Sequence, residues 1–161
     1  MTKQITDFVS RFGTSFELDE TLIVMKRGRY FLLNPELKRL ISQDFFYAGA
    51  YLGKERRGVF FPSFILLAMI AERKEANKII VDDKTEWLFI VGRDVFNRGI
   101  LQVVGSRRKN AHTLVMNKRG ECLGFGRILH NLEEGEAKPK VAVENVSDVG
   151  DFLRRERTIE H

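Results

Sequence analysis

The sequence predicts an α+β fold, with a mainly antiparallel α/β sheet unit over residues 1–77 packed on a small β-barrel with flanking helices over residues 78–161. Two observations carry this. Short runs of alternating apolar and polar residues recur between Gly- and charge-bearing turns, which is the pattern of antiparallel strands. Between them lie stretches whose apolar residues recur every three or four positions behind cap candidates, the pattern of helices that cover a sheet.

In order, Ile5, Phe8, Val9 and Phe12 recur at helical spacing between Thr2, a cap candidate, and Gly13. Leu22 to Met25 and Tyr30 to Leu33 flank Lys26-Arg27-Gly28-Arg29, which reads as a hairpin turn. Asn34-Pro35-Glu36 supplies an N-cap and a proline at the first helical position. Phe46 to Leu52 alternates as a strand, and Lys54-Glu55-Arg56-Arg57-Gly58 makes a charged turn into Val59 to Phe61. Ser63 caps a helix through Arg73 that is apolar nearly all round and so belongs at the centre of the first unit.

Glu72 to Asn77 is a polar connection with no Pro/Gly/Ser-rich linker, so the two units are expected to pack rigidly. A strand at Ile79 to Val81 opens the second unit. Asp83 with Glu86 resembles a capping box for a helix carrying Trp87, Leu88 and Val91 and stopped by Gly92. Strands follow at Ile100 to Val104, Leu114 to Asn117, Cys122 to Ile128 and Val141 to Glu144, a spacing that suits a small barrel. Gly124 and Gly126 interrupt the third of these, where they mark a bulge or a close approach by another backbone. Ser147 or Asp148 would cap a last helix with Val149, Phe152 and Leu153 facing inward.

Hydrophobic residues make up 43% of the 161 positions and phenylalanine alone supplies 13, against 30% charged residues, which describes a globular chain with a substantial core. A net charge of +5 favours a polyanionic partner, since Lys and Arg gain affinity by releasing counterions from phosphates. The basic residues are spread over both halves, so a binding surface must come from local clustering. Cys122 is the only cysteine, which excludes an intramolecular disulfide and a cysteine-rich zinc site and suggests a reducing compartment. The longest apolar run, Val59 to Ala71, contains Pro62 and is too short to span a bilayer, so no membrane partner is expected and the cytoplasm is the expected location.

Catalytic signatures are weak. His112, His130 and His161 share no metal-ligand spacing, and none pairs recognisably with Cys122. Asp82-Asp83 is more economically a helix cap than a carboxylate dyad. Gly124-Phe-Gly126 lacks the third glycine and helix start of a dinucleotide loop. No catalytic residue, cofactor or metal is therefore expected.

Several motifs in the second half occur in the same order as in the PUA domain, the RNA-binding module shared by pseudouridine synthases and archaeosine transglycosylases. They are Gly-Arg-Asp-Val from Gly92, Asn-Arg-Gly-Ile from Asn97, Asn-Lys-Arg-Gly-Glu-Cys-Leu-Gly-Phe-Gly-Arg from Asn117, and Asp-Val-Gly-Asp-Phe-Leu-Arg-Arg from Asp148. The resemblance spans roughly residues 79 to 157. Preceded by an α/β half of this size, the chain resembles the Nip-seven family of ribosome-biogenesis factors in its short archaeal form. That resemblance implies a non-catalytic protein that binds ribosomal precursor RNA through its C-terminal PUA domain. It further implies a role in assembly of the large ribosomal subunit and pre-rRNA processing, with the N-terminal domain docking other assembly or processing proteins. A translation- or tRNA-associated PUA protein is the alternative, and an RNA-modifying enzyme a more distant one.

The candidate RNA-binding residues are Arg154, Arg155, Arg157, Arg93, Arg98, Lys118 and Arg119. The three arginines of the last helix fall outside its apolar stripe, where they either bind phosphate or complement the helix dipole. Arg93 and Arg98 bracket the turn before Gly99, where PUA domains present backbone to RNA; a turn glycine between solvated charges is the other reading. Lys118, Arg119 and the run Arg107 to Lys109 also fit plain solvated turns.

Overall fold

The computed structural model describes residues 2–41 and 44–156, without the side chains of residues 152, 153, 155 and 156. Helix α1 (Lys3–Ser10) and a 3-10 turn at Glu20–Leu22 lead into β1 (Ile23–Lys26) and β2 (Arg29–Leu32), followed by α2 (Pro35–Leu40), β3 (Ala50–Arg56), β4 (Val59–Pro62) and α3 (Phe64–Ala71). The second half runs β5 (Lys78–Val81), α4 (Asp83–Ile90), β6 (Val95–Phe96), a 3-10 turn at Asn97–Gly99, β7 (Ile100–Val104), β8 (His112–Met116), β9 (Cys122–Ile128), β10 (Val141–Asp148) and α5 (Val149–Glu156). Strands β1 to β4 form one antiparallel sheet in chain order, and the other six form a curled sheet in the order β6-β10-β9-β8-β5-β7. Its one parallel pairing joins β5 to β8.

Local chemistry sets most boundaries. Asn34 and Ser63 accept from the backbone N–H of Leu37 and Leu66 and start α2 and α3. Thr2 occupies the cap position of α1 without a side-chain cap bond; its hydroxyl donates to Glu20 instead. Asp82 rather than Asp83 caps α4, accepting from Thr85 N at 2.8 Å, and hydrogen bonds from the Thr85 side chain and then its backbone hold the carboxyl below the usual carboxylate range. The strand expected from Phe46 begins only at Ala50. Gly49 has φ +63° and lies so close to the Leu32 carbonyl that a Cβ would stand 2.3 Å from it, so the chain turns there and enters the sheet only from Ala50.

The glycines of β9 have a structural explanation. A Cβ on Gly124 would meet the Ser147 carbonyl at 2.0 Å and one on Gly126 the Glu144 carbonyl at 2.3 Å, so the neighbour that comes close is β10. There the register shifts between Asn145 and Ser147, a bulge that curls the sheet.

One core runs through both halves. Phe8 and Phe12 of the first meet Phe125 of β9 edge-on at 5.4 and 5.7 Å, and Leu52, Leu66 and Ile70 join Leu114 and Met116 in the same buried cluster. Asn77, at the expected boundary, is 5% exposed and stitches the halves together. Its N–H donates to Phe12 O, its carbonyl accepts from Leu114 N, its Nδ2 donates to His112 O, and its Oδ1 accepts from Ser106 N. Within the described residues, no helix is long and apolar enough to cross a membrane.

Candidate nucleic-acid interface

Helix α4 organises the candidate site. At its first turn Gly99 packs so tightly on Thr85 that a Cβ would fall 1.9 Å from the hydroxyl oxygen, and the Gly99 carbonyl accepts from Asp82 N at 3.0 Å. This close approach seats Arg98 beside the start of the helix. The β8–β9 turn lies along the next turn, where Lys118 Nζ stands 2.8 Å from Asp83 and Arg119 Nη2 3.1 Å from Glu86. Asn117 adds a donor to Glu86, and together with Arg119 it holds the Glu121 carboxyl below its ordinary range.

At the far end, Gly150 reaches the Ile90 carbonyl, which a Cβ would approach to 1.9 Å. Arg154 completes this junction: Nη1 donates to Ile90 O at 3.0 Å, and Nη2 donates to Asp148 Oδ1 and Oδ2 at 3.1 and 2.9 Å. Asp148 is 2% exposed and also accepts from Asp151 N and Asn145 Nδ2. Arg93 follows the helix, exposed and without an ion pair among the described residues.

Five of the seven predicted residues are thereby placed around one helix. Arg93 and Arg98 present open guanidinium groups, although Arg98 Nη2 donates to Ala137 O at 3.0 Å. Lys118 and Arg119 remain exposed in their turn, as the solvated-turn reading has it, and each is paired with acidic partners, Asp83 and Glu86 on α4 and Glu121. Arg154 is exposed, as expected, but its guanidinium is engaged and ties α5 to α4. The side chain of Arg155 and all of Arg157 lie outside the described residues.

Sequence reasoning missed Trp87. In the sequence it is only one of the apolar residues that the helix carries; the buried residues of α4 are Thr85 and Phe89, and Trp87 is 61% exposed. With Lys84 one turn before it and Val91 at the C-cap one turn after, it forms an exposed stripe, and Arg93 is exposed just beyond the helix. An open indole beside cations can stack a base while the cations meet phosphate.

The other features of this half suit phosphate less well. A cavity of about 360 Å³ opens beside Arg98 and β7, but Glu133, Glu134 and Glu136 line it. Arg107 pairs with Glu134, whereas Arg108 and Lys109 are exposed. Burial pushes the Cys122 thiol up to about 11, so at neutral pH it is a protonated, poorly nucleophilic core group.

The family model described as the UPF0113 PUA domain matches residues 77–157. A UPF0113 protein of Archaeoglobus fulgidus is 30% identical over 165 residues, which cover 97% of this chain and 91% of the relative. Among solved structures, a conserved PUA domain protein from Thermoplasma acidophilum aligns with a TM-score of 0.62 at 21% identity, over 96% of this chain and 93% of its own. A PUA domain from Aeropyrum pernix, solved as a tartrate complex, aligns with a TM-score of 0.61 at 16% identity, over 95% and 85%. These two likenesses show the fold. By the family match and the extent of the Archaeoglobus relationship, the chain belongs to the UPF0113 PUA domain family.

Proposed function

We propose that the protein is a non-catalytic RNA-binding factor of the cytoplasm that serves large ribosomal subunit biogenesis and pre-rRNA processing, as the Nip-seven resemblance implies. Membership in a PUA family supports RNA binding. The observation that carries the reading to a surface is the exposed stripe of Lys84 and Trp87 on α4 and Val91 at its C-cap, with Arg93 exposed just beyond. Trp87 supplies a stacking face, and Lys84 and Arg93 supply charges without ion pairs among the described residues. The high pKa of Cys122 argues against thiolate chemistry. Contacts with other assembly or processing proteins belong to the same proposal.

Crosslinking in native extract, followed by sequencing of the attached RNA, tests it. Enrichment of large-subunit precursor RNA is the expected result. Enrichment of mature tRNA or of initiating subunits would move the protein to translation, and modified nucleosides formed by purified protein on precursor RNA would make it an enzyme.

A further inference from the structure

The first sheet carries a second cluster of cations. Lys26 stands directly opposite Arg29 across β1 and β2, and Arg29 stands directly opposite Lys54 across β2 and β3. Three like charges thus form one row across three strands, an arrangement that costs stability in the isolated protein. Asp44 pairs with Lys26, but Arg29 and Lys54 have no ion pair among the described residues.

Two hairpin turns extend the row. In each an arginine with positive φ, Arg27 at 51° and Arg57 at 52°, precedes a glycine at 75°. Such two-residue turns favour Asn or Asp at the first position, and arginine there is conformationally costly. The Gly28 carbonyl accepts from Glu55 N at 2.7 Å, so the two turns lie side by side and both arginines are exposed at the same end of the sheet.

Aromatic rings flank these cations. The Arg29 guanidinium lies 4.7 Å from the ring centroid of Phe46 and 5.6 Å from that of Phe31, which is buried. Phe46 itself is 79% exposed, far more than packing on one arginine accounts for. A small cavity of about 160 Å³ opens between Arg27, Arg29, Asp44, Phe45 and Phe46.

We propose that this face is a second RNA site, specific for single-stranded RNA. Arg29, Lys54, Arg27 and Arg57 receive phosphates, with Lys26 held by Asp44 at the end of the row, and Phe46 stacks an unpaired base. Phosphates relieve the repulsion along the row, and the free ring favours a nucleic acid over an acidic peptide because bases offer it a π-face. Single strands are favoured over duplex because only unpaired bases reach such a ring. The site goes beyond the α4 surface and stands on residues that share nothing with it.

The test uses the full chain and a labelled oligouridylate. Replacing Arg27 and Arg57 together by Asn removes two charges while supplying the residue these turns prefer, so the melting temperature should hold or rise. Affinity should fall, with a salt slope shallower by about 1.4 for two lost single-strand phosphate contacts. Phe46→Ala should weaken binding about ten-fold. Ultraviolet crosslinks should map to the segment 44–57. Crosslinks confined to residues 77–156, with both variants within two-fold of the parent, would overturn this site and leave the α4 reading standing. Crosslinks confined to 44–57 would do the reverse, and the absence of any crosslink would overturn both. An oligoglutamate peptide that binds as tightly as the RNA, with Phe46→Ala neutral, would reassign the face to an acidic protein and overturn the proposal.

Discussion

Arg154 donates through Nη2 to both carboxylate oxygens of Asp148, at 3.1 and 2.9 Å, while its Nη1 caps the Ile90 carbonyl at the end of α4. A guanidinium that satisfies a buried carboxylate and a helix terminus is fixed in place, and leaving that carboxylate unpaired is costly.

Arg154→Ala should therefore act mainly on stability. Removing one partner of a fully buried pair costs more, but the Arg154 side chain is 46% exposed and water screens part of the loss, so about 2 kcal/mol is expected. In a chain of this length that lowers the melting temperature by roughly 4–8 °C. Arg93→Ala should leave stability nearly unchanged and weaken RNA binding, lowering the salt slope by about one. Thermal melts and titrations on the two variants check this. An Arg154→Ala protein of parental stability with the larger loss of RNA affinity would restore Arg154 as a phosphate ligand.

Asn77 makes the second prediction. Its side chain alone satisfies His112 O and Ser106 N, and a Cβ on Gly105 would stand 2.3 Å from its Oδ1, so no larger group fits there. Asn77→Ala strands two backbone groups at a cost of about 2–4 kcal/mol. Because Phe8, Phe12 and Phe125 share one core, both halves should unfold in a single transition even in the variant. Trp87 fluorescence reports on the second half and the three tyrosines on the first. Two separated transitions would show that the shared core is weaker than its contacts imply.

What could be read from the sequence was what depends on near neighbours. Asn34 and Ser63 reach backbone groups three residues on, so their caps were legible, as were the arginine-glycine turns. Gly124 and Gly126 announced a close approach, but only the fold shows that β10 makes it. Asn77 read only as the end of a polar connection because its partners at 12, 106, 112 and 114 lie far off in sequence. The exposure of Trp87 was not legible for a different reason: helical periodicity locates an apolar face without saying whether the protein's own core or a partner covers it. The basic residues had the same ambiguity. Lys118, Arg119 and Arg154 look alike in sequence to Arg93, and only their acidic neighbours separate them.

His112 gives a pH dependence to the junction of the two halves. Its ring lies 6.0 Å from Phe12, edge-on, and 6.2 Å from Phe125, stacked at 28°. Burial there lowers its pKa, and the charges of Arg11 and Arg127 act in the same direction. In the unfolded chain the imidazole takes up a proton below about 6.5, whereas the folded protein resists doing so until lower pH. The unfolded state therefore binds more protons across that window, and stability falls as the pH drops from neutral through about 6.5. Denaturant midpoints measured between about pH 5 and 7.5 should show this decline in the parent protein. His112→Phe, which keeps an aromatic ring against Phe12 and Phe125 but cannot titrate, should flatten it. Parallel pH profiles for the two proteins would mean that His112 is protonated as readily in the folded chain as in the unfolded one, and that water reaches it between the rings.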